Sequence, residues 1–109
     1  MKEKHPTDTV SLQSLIKTFD LPLDPASVNM TLERIGILEK VYYQSTTGSG
    51  ATKSFIALTT AGLKYGVNLG TMHEFRTEPR YFEDTFPELM TLVVKQIAAD
   101  VEAIKRVVH

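Results

Sequence analysis

Asp24-Pro25-Ala26-Ser27-Val28-Asn29-Met30-Thr31-Leu32-Glu33-Arg34-Ile35-Gly36 is a stretch punctuated at both ends. Asp24 suits a helix N-cap, and Pro25 suits the first helical position, where no amide donor is needed. Val28, Leu32 and Ile35 fall on one face of the helix so begun, and Gly36 fits its C-terminal turn. Ile37 and Leu38 return the chain to the core. On the N-terminal side, Leu12, Leu15, Ile16 and Phe19 stand at i, i+3, i+4 and i+7. That spacing predicts a helix over 11–19, capped by Thr9 or Ser11. Pro22 lies between the two helices and biases Leu21 away from helical geometry, so a turn separates them.

On the C-terminal side, Val41-Tyr42-Tyr43-Gln44 and Ser54-Phe55-Ile56-Ala57-Leu58 are aromatic and branched, and read as two strands. The polar Gly/Ser/Thr tract 45–53 makes them a hairpin with a mobile tip. Thr59 or Thr60 then caps a short third helix with Leu63, Tyr65 and Val67 as apolar members, ending at Gly70. Residues 71–87, with Pro79 and Pro87 among Phe75, Tyr81, Phe82 and Phe86, read as irregular. Pro87 opens a last helix from Glu88 to about Val107. Leu89, Val93, Ile97, Val101, Ile104 and Val108 form one apolar row on it, with Met90, Val94 and Val107 alongside.

Helix, turn, helix, hairpin and long helix predict an α+β protein of winged helix-turn-helix type. The expected units are a flexible segment 1–9, a winged-helix domain 10–70, an aromatic segment 71–87 packed on the core, and the helix 88–109. The double apolar row exceeds what one docked helix needs, so a homodimer is expected through Met90, Val94, Ile97, Val101, Ile104 and Val108. The alternative is a monomer whose aromatics at 75–86 fold over the second row.

The 109 residues are one domain's worth, 42% hydrophobic and 23% charged, both ordinary values for a globular chain. No cysteine is present, which excludes disulfides, thiolate nucleophiles and thiolate metal sites. The apolar C-terminal run is broken by Lys95, Asp100 and Glu102, so no membrane span is expected. Residues 1–9 lack the apolar centre of a secretory signal, and a cytoplasmic protein is expected. The net charge of −1 gives no basic surplus, so a nucleic-acid footprint would have to come from local clustering.

Chemical motifs are few. Gly48 to Ser54 has the flavour of a phosphate loop, but Thr52 and Thr47 stand where that motif needs glycine. His5, His73 and His109 are scattered, so neither a metal nor another cofactor is expected. Glu83, Asp84 and Glu88 precede a helix N-terminus, where carboxylates complement the dipole. An enzyme is not expected. Arg76 and Arg80 interleave with Phe75, Tyr81 and Phe82, a mixture that binds single strands or straps a loop over the core.

If duplex DNA is the partner, the second helix is the reading element. Ala26, Met30, Glu33 and Arg34 point outward, flanked by Ser27 and Asn29. Asn29 suits adenine and Arg34 guanine, although a local bond to a turn also accounts for Asn29. Lys17, Lys40, Thr47 and Lys53 complete the candidate DNA surface. The rival partner is a protein, held through the hairpin or last helix. Met30 and the neutral charge favour it.

Asp24 to Leu38, followed by Leu58-Thr59-Thr60-Ala61-Gly62-Leu63-Lys64-Tyr65-Gly66-Val67-Asn68, resembles the C-terminal domain of phage antirepressor proteins. Glu78-Pro79-Arg80-Tyr81-Phe82 and Phe86-Pro87-Glu88-Leu89 resemble the aromatic segment that follows in prophage-encoded relatives. The likeness spans about residues 11–90 and implies a regulator acting on DNA or on a repressor. The longer Gly/Ser hairpin tip and the lack of tryptophan depart from that pattern.

Overall fold

A computed structural model describes residues 8–45, 50–73 and 75–108. Its order is β1 (Thr9–Val10), α1 (Leu12–Thr18), α2 (Pro25–Arg34), β2 (Leu38–Gln44), β3 (Thr52–Leu58), a 3-10 turn (Ala61–Lys64), β4 (Gly66–Gly70), β5 (Thr77–Phe82) and α3 (Phe86–Val108). Among the described residues this is an α+β fold of three α-helices and two small antiparallel sheets. One sheet is the β2–β3 hairpin, and the other has the order β1-β5-β4.

Local chemistry sets the helix ends as the residues suggest. The Ser11 hydroxyl accepts from the Ser14 amide at 3.2 Å, capping α1. The Asp24 carboxylate accepts from the Ser27 amide at 3.1 Å and its hydroxyl at 2.7 Å, and Pro25 opens α2. At the far end Gly36 takes φ 81°, in the left-handed region where a side chain is strained. It lets the Ile37 amide reach the Leu32 carbonyl at 2.9 Å and its own amide the Glu33 carbonyl at 3.2 Å. This double closure turns the chain out of α2 and into β2.

The hairpin pairs from Leu38 opposite Leu58 to Gln44 opposite Thr52. Thr52 and Lys53, expected in a mobile tip, belong to β3. Residues 46–49 of that tip, like 1–7 of the expected flexible segment, lie outside the described residues.

Two expectations fail beyond Leu58. The third helix is a single 3-10 turn, and Tyr65, Val67 and Leu69 alternate with Gly66, Asn68 and Gly70 as β4 does. Leu63, an expected core member, is 50% exposed. Glycines at 62, 66 and 70 weaken a helix, and a period of two needs no helix. The segment 71–87 is not irregular either, because 77–82 form the central strand of the second sheet. Pro79 argued against a strand, but β1 reaches only Tyr81 and Phe82. At Pro79, β5 is therefore open on that side, where a residue without N–H is tolerated. No unit ends at residue 70, since β4 and β5 pair from Gly66 with Tyr81 to Gly70 with Thr77.

The core gathers Leu12, Leu15 and Ile16 of α1, Val28 and Leu32 of α2, Ile37, Leu38, Leu58, Tyr65 and Tyr81, and Phe86, Leu89, Met90 and Val93 of α3. Phe86, read as preceding α3, is its first residue and stacks on Phe19 with ring centres 6.0 Å apart. Among the described residues no helix is long and apolar enough to cross a membrane.

Gly66 and Gly70 make a matched test of the β4–β5 pairing. A Cβ at Gly66 collides with the Arg80 carbonyl, whereas a Cβ at Gly70 meets nothing. Gly66→Ala is expected to cost at least about 2 kcal/mol, and Gly70→Ala to stay within about 0.5 kcal/mol of wild type. Urea unfolding midpoints compare them, and equal costs would refute the close approach.

Candidate functional site

The fold collects polar side chains from five elements along one surface groove of about 780 Å³. Its walls are Ser11, Leu12 and Gln13 at the start of α1, Asn29 on α2, Lys40 on β2, and Ser54, Phe55 and Ile56 on β3. Thr71, Arg76, Thr77, Glu78, Pro79 and Tyr81 close it from the second sheet. The charged lining is thus two cations, Lys40 and Arg76, and one carboxylate, Glu78. The Arg76 guanidinium donates to the Ser54 carbonyl at 3.4 Å and lies 6.0 Å from the Phe55 ring centre.

Of the sequence-expected DNA residues, the groove unites Asn29, half-buried, with Lys40, exposed. The others lie elsewhere. Lys17 is exposed in the last turn of α1, and Lys53 is exposed on β3 opposite Tyr43. The Ser27 hydroxyl is taken up by the Asp24 cap. Met30 stands 58% exposed on the outer face of α2. Arg34 is held by Asp100 of α3, Nη1 to Oδ2 at 2.7 Å. Thr47 lies outside the described residues.

Gln13 and Arg76 were missed as groove residues. Gln13 follows Leu12 on α1, so a helical wheel would have placed it beside the buried face. Arg76 stood out only through its aromatic neighbours, and nothing local joined it to Asn29 and Lys40, because its position depends on β5. Phe75 does not strap the core. It joins Tyr43 and His73 beside the hairpin, with ring centres 5.4 to 6.1 Å apart, and Tyr43 also meets Phe55 at 6.0 Å. Of the aromatics interleaved with Arg76 and Arg80, Tyr81 and Phe82 are the buried ones.

The expected dimer residues divide. Met90 is 8% exposed and packs in the core, because Leu89 and Met90 both face the body where α3 leaves the second sheet. It is therefore not available to a second copy. Val94, Ile97, Val101, Ile104 and Val108 are exposed.

Among the described residues, three ionisable groups depart from their ordinary ranges. The Ser27 hydroxyl and then its amide hold the Asp24 carboxyl below the usual carboxylate range. The Glu88 carboxylate, 2.9 Å away, raises Lys64. Burial pushes the Tyr81 phenol above the usual tyrosine range. Its hydroxyl is one of three buried polar atoms without a hydrogen-bond partner among the described residues, with Arg80 Nε and Thr85 Oγ1. No group of three or more His, Asp or Glu side chains among the described residues converges as metal ligands do.

Comparison of the chain with protein-family models, with curated proteins and with solved structures finds no match.

Tyr81 gives the groove a measurable signature. Above about pH 10 the unfolded chain releases this phenolic proton while the folded chain keeps it. Stability is therefore complete below that range and falls as pH rises through it. Tyr81→Phe is expected to flatten the decline and, by deleting a hydroxyl without a partner, to cost little at neutral pH. Urea midpoints from about pH 8 to pH 11 measure both slopes. Identical slopes would show that Tyr81 is solvated.

Proposed function

We propose that this protein is a non-catalytic regulator of winged helix-turn-helix type that binds duplex DNA through α2 and the β2–β3 hairpin. One observation carries the reading: Asn29 of the second helix and Lys40 of the hairpin line a common groove, and Arg76 joins them there. An amide able to pair with adenine thus lies beside two cations suited to phosphates. The order of two helices and a hairpin, and the resemblance to phage antirepressor C-terminal domains, support the same reading. Arg34 reaches a base edge only by leaving Asp100, so Asn29 rather than Arg34 carries the larger share of readout.

A protein partner is the second reading, and Met30 favours it. An exposed methionine next to Glu33 and to an arginine already neutralised by Asp100 resembles the centre of a protein contact more than a DNA-reading face. In that reading the target is a repressor or a host protein.

Selection of bound duplexes from a randomised pool at low salt tests the choice. Asn29→Ala is expected to relax one base-pair preference by about 1–3 kcal/mol, with a smaller effect for Arg34→Ala. Lys40→Ala and Arg76→Ala are each expected to weaken all sequences alike and to reduce the salt slope by about 1. No retention of any duplex, or retention indifferent to both Asn29 and Lys40, would overturn the DNA reading and leave the protein-binding one.

A further inference from the structure

We infer that two copies of this chain pair in parallel along the distal half of α3, with Asp100 of each copy beside Lys105 of the other. This goes beyond the DNA reading and stands without it.

α3 serves the body of the domain with only part of its length. Its body-facing row is Phe86, Leu89 and Val93, all buried, continued at the same spacing by Gln96 and Asp100. Asp100 is the last anchor, taking Arg34 of α2 at 2.7 Å and Gln96 at 2.9 Å. From Val101 to Val108 every residue is exposed. The apolar members of this stretch, Val101, Ile104, Val107 and Val108, are 44% to 86% exposed, and an apolar face of that extent calls for a cover.

The packing surface is a second row, one residue on and so turned roughly 100° from the first. Val94, Ile97, Val101, Ile104 and Val108 repeat at three, four, three and four residues and are 38% to 74% exposed. A strict 3.5-residue repeat is the seam of a coiled coil, with valines at a (94, 101, 108) and isoleucines at d (97, 104). Body and partner therefore take different rows of one helix, and neither blocks the other.

Charge selects the occupant and its direction. In this register Asp100 is a g position and Lys105 the e position of the next heptad. Parallel strands place g of one chain against that e of the other, so the pair forms twice across the two-fold. Antiparallel strands with Ile97 opposite Val101 would set Asp100 against Asp100, and a shift by one heptad would set it against Val107. A second copy in parallel is the arrangement that this pattern complements. Asp100 keeps its bond to Arg34, since its side chain is 38% exposed, and Lys105 exchanges Glu102, now at 3.0 Å, for the new acceptor.

Sedimentation equilibrium on the full chain up to about 100 µM, with no DNA present, tests the pairing, and twice the chain mass is expected. Val101→Glu is expected to weaken association at least a hundredfold while the monomer stays folded and helical, because residue 101 is exposed and outside the buried core. Ala99→Glu, on the outer face, is expected to change nothing. Lys105→Asp is expected to weaken the dimer about tenfold at low salt and less at high salt. Val108→Cys, the sole cysteine in such a chain, is expected to give a disulfide-linked dimer on oxidation, because equivalent a residues meet in parallel strands. Isoleucine at d loosens the preference for two strands, so the mass itself decides. A monomer, a trimer, association indifferent to Val101→Glu or Lys105→Asp, or a dimer that Val108→Cys fails to link would each overturn the inference.

Discussion

At the end of β3, the Leu58 amide donates to Asn68 Oδ1 at 2.8 Å, and the Asn68 amide nitrogen donates to the Leu58 carbonyl at 3.1 Å. One side chain thus does the work of a neighbouring strand and satisfies both backbone groups of a residue that is 5% exposed. Left unpaired, each group would cost about 1–3 kcal/mol. This clasp holds the hairpin against the second sheet, and the groove lies in the angle between them. Thr59 reinforces the junction: its hydroxyl donates to the Gly36 carbonyl and accepts from the Gly62 amide. The end of α2, the base of the hairpin and the turn into β4 are therefore one linked unit.

The clasp also explains residues that had suggested kinship rather than structure. Thr59, Gly62, Gly66 and Asn68 all fall in the stretch that resembles antirepressor domains. Gly62 faces the Ile37 carbonyl and Gly66 the Arg80 carbonyl, both too close for a side chain. Each of these residues has a backbone reason to be what it is. These backbone demands account for the four residues without any appeal to kinship, and the functional reading depends on the groove beside them.

Charge is spent unevenly over the surface. Arg34 is committed to Asp100, Lys64 to Glu88 and Lys105 to Glu102. Lys40 and Arg76 both line the groove, with Glu78 as its one carboxylate, so cations outnumber anions there in a chain of net charge −1. At the opposite extreme, the distal half of α3 concentrates apolar side chains at coiled-coil spacing. The groove and the exposed apolar row of α3 occupy separate parts of the molecule.

Both early helices and the hairpin were legible because their signals are local. Ser11, Asp24, Pro25 and Gly36 act on backbone groups within a few residues, and Val28 and Leu32 mark a face by spacing alone. β4 and β5 were not legible, because glycine and proline at 66, 70 and 79 oppose strands until a neighbour is supplied. Gly66 becomes necessary only where the Arg80 backbone arrives, and Pro79 is harmless only where β1 stops short. The candidate site followed the same division. Asn29 and Lys40 could be named from helix and hairpin patterns, whereas Arg76 required β5. Arg34 was judged free because Asp100 lies 66 residues away in sequence. Local propensity and periodicity determined which segments are helices and hairpin. Long-range pairing, which alone satisfies buried backbone groups across distant segments, decided the second sheet, the groove and which row of α3 remains uncovered.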